Sequence, residues 1–325
     1  MIFQDRIYGK IEVTEPVILE LLKTPQLKRL KGVHQQGIYY YAWPEYHGNR
    51  FEHSVGVMLV LKKFGASLAE QVSGLLHDVS HGVFSHVLDY LYNKSEAQDY
   101  QDLRHHRAFD EQIVNILENH HLKIEEIVKV DQWPLLEKPL PDICADRLDY
   151  TLRDACLVKK IDKNFVTRVL DNLKIINQQF VFKDFSMALD FANLSWWMCR
   201  FIWHSEWGEA IFQLMSQVLK RALELKLINE ADLFGTDDLL ISKLRQSQNQ
   251  ATNDLLDKVK NFKKEQASIN KKDYDFFSVT KMRVIDPLVK TKSFLKRVSE
   301  LDNDFKNKFN QEKVRVREMY LKILK

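Results

Sequence analysis

The stretch GLLHDVSHGVFSH, residues 74–86, sets an adjacent histidine and aspartate, His77 and Asp78, at the end of an apolar run and follows them with His81 and His86. Just upstream, Ser67 and Glu70 have the S-x-x-E spacing of a capping box, and Leu68, Val72, Leu75 and Leu76 recur at helical intervals. The spacing predicts a helix whose end delivers His77 and Asp78 together. Before it lies RFEHS (50–54), with His53 in the first turn of a helix continued by Val57, Leu59, Val60 and Leu61. After it lies ADRLDYTLRD (145–154), within a helix expected from about Pro141 to Cys156. There Asp146, Tyr150 and Asp154 are four apart and share one face, while Ile143, Leu148 and Leu152 point elsewhere to pack.

Seven of the eleven histidines (His47, His53, His77, His81, His86, His105 and His106) lie between positions 47 and 106, and that clustering calls for a chemical reason. A lone histidine beside an apolar helix is ordinarily a satisfied core residue; the ordered set is what carries the signal. Imidazole with carboxylate, and no cysteine, is a ligand set for one divalent metal ion, with manganese, iron, zinc and nickel the candidates and hard magnesium less favoured. His77 and Asp78 reach one cation from a helix end, His53 approaches from the antiparallel neighbour, and Asp146 closes the site from a third helix. Four protein ligands leave octahedral positions for water and a substrate oxygen, as hydrolysis requires.

The rest of the chain reads as all-α, mainly helical, with minor β hairpins. Thr14-Glu15-Pro16 and Thr24-Pro25 start two short helices. The aromatic run from Gly37 to Pro44 reads as a strand or extended loop able to line a pocket. A helix is expected from Arg104 to Asn119, a hairpin from Lys174 to Lys183, and one long helix from Asn193 to Leu227. Residues 246–275 are polar and at best partly helical, residues 276–288 suit a strand, and residues 290–325 an exposed amphipathic helix. We divide the chain into a core, 1–235, and a charged helical extension with a short strand, 236–325.

Composition narrows the function classes. With 45% hydrophobic residues and only 10 glycines in 325, the chain has the makings of a large packed core. The net charge of +3 gives no global nucleic-acid or membrane signature. Cys144, Cys156 and Cys199 form no CxxC pair, which suits reduced thiols and a cytoplasmic location. The opening MIFQDRIYGK is charged where a secretory signal needs an apolar stretch, and the run from Met187 to Trp203 is too polar to span a bilayer.

The order H…HD…D resembles the HD superfamily of metal-dependent phosphohydrolases. Residues Asp5 through Trp43, with TPQLKRL (24–30), NRFEHSVGV (49–57), HDVSHGVFSH (77–86) and DRLDYTLRD (146–154), are further similar to the deoxynucleoside triphosphate triphosphohydrolases, including the sterile-alpha-motif-and-HD protein and bacterial dGTPases. WHSEWGEAIF (203–212) and RVIDPLV (283–289) extend the likeness more weakly. The resemblance implies His53, His77, Asp78 and Asp146 as metal ligands and attack at the α-phosphorus of a dNTP, releasing a deoxynucleoside and triphosphate. It implies Arg50, His81 and Arg147 as phosphate contacts and His86, Asp89 and His106 as the acid–base group, His106 being preferred to His105 by spacing. It implies Gln35, Tyr150 and Asp154 as the deoxyribose pocket, and a homo-oligomer.

The chain also departs from that pattern. Lys23 stands where activated relatives carry a guanine-reading aspartate, and Lys28 and Lys31 follow it, which argues against guanine-nucleotide activation by that route. Gln36 replaces an apolar residue beside the sugar, and Asn193 to Trp203 offers no match for an arginine on the triphosphate. Two other readings compete: a phosphatase or phosphodiesterase on another nucleotide, although the GYP segment of cyclic-dinucleotide enzymes is absent, and a nucleic-acid-binding regulatory protein using Lys23, Lys28, Lys31 and the C-terminal lysines. The complete ligand set gives the last reading little support.

Overall fold

A hairpin of β1 (Ile2–Asp5) and β2 (Gly9–Glu12) opens the chain, and the Asp5 carboxylate accepts the N–H groups of Ile7 and Tyr8 in its turn. The computed structural model describes residues 1–101, 105–106, 108–292 and 294–324. The two expected proline-started helices follow, α1 (Pro16–Leu21) and α2 (Pro25–Arg29), the second capped by Thr24. The aromatic run expected to be extended instead winds into α3 (Tyr39–Ala42). One helical turn brings Tyr39 and Trp43 to the same side, and the Tyr39 ring then meets Trp43, Tyr46, Trp207 and Phe212 at centroid distances of 4.9–5.8 Å. Burial of four rings outweighs the β preference of tyrosine.

Helix α4 (Arg50–Lys63) is capped by Asn49, which accepts from Glu52 N–H, and is buried on every side from His53 to Leu61. A helix apolar all round belongs in the interior. A short loop reverses the chain into α5 (Leu68–Leu76), so the start of α4 and the end of α5 lie at one end of the pair. Ser67 caps α5 as expected, but Glu70 does not return the bond; its carboxylate accepts Leu135 and Leu136 N–H at 2.7 and 3.1 Å. The second half of the expected capping box thus anchors a distant loop.

Short helices α6 (Val87–Leu91), α7 (Glu111–Asn119) and α8 (Ile124–Ile127) lead to α9 (Ala145–Leu157), which packs across α4. The helix expected from Arg104 starts only at its Asp110 cap, and Arg104 itself lies outside the described residues. After α10 (Lys163–Asn172) comes the expected hairpin, β3 (Leu173–Ile176) and β4 (Gln179–Phe182). The single long helix expected from Asn193 is two: α11 (Phe185–Met198) ends in a π turn, Cys199–Trp203, before α12 (Glu206–Glu224). Ser205 caps the new helix through Gly208 N–H, and the Tyr39 hydroxyl takes the freed Ile202 carbonyl at 3.0 Å.

The last ninety residues are more structured than their polarity predicts. Helices α13 (Asp237–Gln246) and α14 (Gln250–Lys260) precede β5 (Ala267–Ile269), β6 (Phe276–Ser278), β7 (Leu288–Lys290) and β8 (Leu295–Arg297). Then come α15 (Val298–Leu301), α16 (Asn303–Arg315) and β9 (Met319–Ile323). Strand β7 pairs parallel with β4 and extends the hairpin to a sheet ordered β3-β4-β7-β8, while β9 lies between β5 and β6. Val259, Phe262, Val284, Val289 and Phe305 share one apolar core with Val57 and Leu148. With 53% helix and 11% strand the fold is mainly helical, and all-α understates the strands. Among the described residues no helix is long and apolar enough to cross a membrane.

Gly56 marks where α4 and α9 meet: a Cβ there would overlap Asp149 Oδ1 and the Arg153 guanidinium. Alanine improves helix propensity by about 1 kcal/mol, but displacing a fully buried ion pair costs more. Gly56→Ala is expected to lose about 2 kcal/mol or more in urea unfolding; equal or higher stability would show that this helix contact yields easily.

Candidate metal centre and active site

At the shared end of α4 and α5, with the first turn of α9 against them, His53 Nε2 lies 2.9 Å from Asp146 Oδ1 and 3.3 Å from His77 Nε2. His77 Nε2 is 3.6 Å from Asp146 Oδ1 and 3.4 Å from Asp78 Oδ1, and Asp78 Oδ2 is 3.7 Å from His53 Nε2. Ligands at right angles around a cation with bonds of ~2.1 Å stand about 3.0 Å apart, so His53, His77 and Asp146 suit one coordination sphere, and Asp78, which approaches the two imidazoles with different oxygens, borders it.

What fills the space behind each ring decides whether a cation fits. His53 Nδ1 bonds Asp149 Oδ2 at 2.8 Å, and His77 Nδ1 bonds the Gly74 carbonyl at 2.7 Å. A carbonyl only accepts, as does an ionised carboxylate, so both Nδ1 atoms carry hydrogen, and with Nε2 deprotonated the rings turn lone pairs toward each other and toward two carboxylates. Such a cluster of electron-pair donors needs positive charge at its centre, and the residues present fit a divalent metal. Burial opposes charge on His53, but its bonds to Asp146 and Asp149 push its pKa up to about 10, the protonic counterpart of that demand. Burial likewise opposes ionisation of Asp146, yet His53 and His77 hold its carboxyl well below the usual range.

A second layer fixes the first. Arg153 donates to both Asp149 oxygens at 2.9 Å and to Asp5 at 3.1 Å, tying His53 through α9 to the opening hairpin. Arg29 donates to the carbonyls of Val79 and His81, at 2.9 and 2.7 Å, and to that of Gly235 at 3.1 Å. Asp237 accepts Phe84 N–H at 2.7 Å and His34 N–H at 2.9 Å. The loop after the His-Asp pair is therefore braced by residues from both ends of the chain.

The donor cluster opens into a cavity of about 1000 Å³. On one side Arg50 donates to Asp78 at 2.8 Å and to Ser85 at 3.0 Å and leaves its third nitrogen unpartnered. Burial and Arg50 depress His81 to about 3, although it lies 3.2 Å from Asp78. His86 Nδ1 bonds Asp89 at 2.9 Å, and its Nε2 is 3.3 Å from Arg283. Burial, then Arg283 and Arg50, hold His86 well below its ordinary pKa, and burial raises Asp89 to about 6. Arg147 borders the cavity paired with Glu137 at 2.6 Å and close to Cys144 Sγ at 3.2 Å, so its guanidinium sits on the second cluster of possible ligands, Glu137, Cys144 and Asp146.

Opposite, the Tyr150 ring meets Trp203 edge-on at 5.0 Å, and Trp203 Nε1 donates to Asp154 at 2.9 Å. Gln35 joins this wall. His106 requires a correction: it is exposed, and its neighbour His105 lines the cavity. In a 3₁₀ turn successive side chains point about 120° apart, so only one of an adjacent pair faces inward. His105 Nε2 is buried without a partner, and burial lowers the ring to about 4.

Residues 50–154 match the family model of the HD domain. Over 295 residues the chain is 35% identical to YdhJ of Bacillus subtilis, covering 89% of this chain and 88% of that one. It is 29% identical over 257 residues to the metal-dependent phosphohydrolase cns2 of Cordyceps militaris, covering 77% and 74% of the two chains. A shorter match, 32% identical over 138 residues, joins 38% of this chain to 21% of mouse deoxynucleoside triphosphate triphosphohydrolase SAMHD1. In fold it is similar to a phosphohydrolase from Bacteroides thetaiotaomicron, with a TM-score of 0.71 over the full length of both chains at 17% identity. The chain belongs to the HD-domain family of metal-dependent phosphohydrolases.

For an HD-domain phosphohydrolase, sequence reasoning missed several residues at this site. Asp149 and Arg153 were within a quoted motif, and their i, i+4 spacing of opposite charges was the available signal. Arg283 opens the weakly matching segment RVIDPLV, and nothing in that segment marks it as a cavity residue. His204 lies in the other weakly matching segment, WHSEWGEAIF, and Glu137 carries no local signal.

His77→Ala and Asp78→Ala are expected to purify without the transition metal found by elemental analysis in the parent enzyme, and Asp149→Asn to bind it about 10- to 100-fold more weakly. Metal retained in full by both alanine variants would remove this centre. His105→Ala is expected to slow phosphate-ester turnover while His106→Ala leaves it within about twofold, as is usual for an exposed side chain; the reverse order would restore the preference read from spacing.

Proposed function

We propose that this phosphohydrolase cleaves nucleoside triphosphates, dNTPs among them, at the α-phosphorus, releasing nucleoside and inorganic triphosphate. One observation carries the reading: the donor cluster, three guanidinium groups and the Tyr150–Trp203–Asp154 wall border one cavity of a size that holds a nucleotide. The name of the SAMHD1 relative supports the substrate class. Arg50, Arg147 and Arg283, with His81, bind the phosphate chain, and Tyr150 and Asp154 with Gln35 orient the sugar so that the α-phosphorus meets the donor cluster. When bound, a divalent cation supplies Lewis acidity at a phosphoryl oxygen and offsets its charge.

Water adds to the α-phosphorus as the bond to the 5′-oxygen breaks, and His86, oriented by Asp89, supplies a proton to that leaving oxygen while the proton of the attacking water passes to solvent. In the free enzyme burial, and after it Arg283 and Arg50, disfavour charge on this imidazole, and a polyanion placed between the arginines offsets their part of that effect. A shorter phosphate chain is favoured by one feature, the engagement of Arg147 by Glu137, so a nucleotide phosphatase is the second reading.

Incubation of the manganese-loaded enzyme with each of the four dNTPs, resolved by chromatography, is expected to yield nucleoside and triphosphate; phosphate or pyrophosphate would favour the second reading. Arg283→Ala is expected to lower kcat/KM about 10- to 100-fold through loss of a charged hydrogen bond. Because Asp89 titrates near 6 and orients His86 as a carboxylate, kcat/KM falls below about that pH, and Asp89→Asn flattens that limb. A limb unchanged in Asp89→Asn would assign it elsewhere.

A further inference from the structure

Several buried polar atoms without partners among the described residues face the cavity, and at the sugar wall they belong to Gln35, Gln36 and His204. Gln36 is 5% exposed and approaches Asp154 closely enough to favour that carboxylate's charged form against burial, but neither its amide nitrogen nor its oxygen completes a well-formed hydrogen bond among the described residues. His204 is 2% exposed, and its Nε2 is likewise without a partner. Both line the cavity beside Trp203 and Asp154. Burying a polar group without a partner is costly, so unsatisfied groups gathered on one wall point to a ligand that completes them.

The donors and acceptors on this wall specify what that ligand carries. His204 Nδ1 is 2.9 Å from Glu209, a buried carboxylate that also accepts the hydroxyls of Tyr90 and Ser278. Glu209 as a carboxylate can only accept, so a ring hydrogen sits on Nδ1 and Nε2 is left facing the cavity, an acceptor whenever it carries no hydrogen. Asp154 takes one bond, from Trp203, and a carboxylate has lone pairs for more. The wall therefore presents the Asp154 carboxylate and the Gln35 carbonyl as acceptors and His204 Nε2 beside them, with the Gln36 amide able to donate and accept. Two neighbouring hydroxyls, each donating to one acceptor and one receiving from the amide, satisfy more of that set than a single hydroxyl can.

We infer that the sugar end of this site is built for a vicinal diol, so that ribonucleotides are substrates and Gln36 is the residue that sets the preference. The inference rests on the nucleotide reading above for the placement of the sugar. A site that hydrogen-bonds a hydroxyl discriminates against the analogue lacking it, because its own polar groups stay unpaired.

The test compares kcat/KM for ATP against dATP and GTP against dGTP, by nucleoside release, on the manganese-loaded enzyme and on Gln36→Leu. The ribonucleotides are expected to be used at least as well as their deoxy counterparts, and Gln36→Leu to lower the ribo-to-deoxy ratio about tenfold. A tenfold preference of the parent enzyme for the deoxynucleotides, or an unchanged ratio in the variant, overturns the inference. Calorimetric titration of both proteins with adenosine and 2′-deoxyadenosine separates this from failure of the triphosphohydrolase reading. If no triphosphate yields nucleoside, that reading falls, yet tighter adenosine binding that Gln36→Leu abolishes still supports the diol site. Equal binding of the two nucleosides to the parent protein rejects the diol site whatever is hydrolysed, and this comparison needs no variant to fold.

Discussion

Two imidazoles and two carboxylates turned inward on one another form the interaction on which the rest of this structure depends. Left alone, four electron-pair donors at 2.9–3.7 Å would separate. Their far sides are therefore held: His53 by Asp149, His77 by Gly74, and Asp78 by Arg50. Each of those holders is itself buried or part of a helix, and Asp149 is clamped by Arg153. The scaffold maintains a concentration of negative character that only a bound cation, or protons taken up at high cost in pH range, can balance.

The helical arrangement exists to keep that geometry. Because α4 and α5 are antiparallel and joined by a short loop, the start of one and the end of the other coincide, and α9 adds its first turn at the same place. Gly56 allows α9 to approach closely enough for Asp149 to reach His53. Around this centre the cavity is lined by guanidinium groups and by aromatic and amide groups, and Arg283, over the Tyr150 ring, joins the two. That lining suits a ligand with an anionic end and a flat, hydroxylated one, which is the physical content of the nucleotide reading.

The C-terminal ninety residues contribute more than their composition suggests. Their lysine-rich surface hides apolar residues that enter the main core, a strand that extends the β3–β4 hairpin, and Arg283, which reaches His86. The π turn before His204 has a comparable effect, since it interrupts what the periodicity reads as one helix and thereby sets Trp203 and His204 at the cavity.

The sequence by itself determined the helices that carry His53, His77, Asp78 and Asp146, because apolar spacing and capping residues act within a few positions of the chain. It also determined, through motif order, the family to which the chain belongs. It did not determine which of His105 and His106 faces inward, that Glu70 holds Leu135 and Leu136, or that the 37–44 run is helical. Those outcomes rest on contacts between residues far apart in sequence, whose burial outweighs local preference. Only the tertiary structure decided that Arg283 and Gln36 border the same space, because chain spacing carries no information on which surfaces meet once the core has closed.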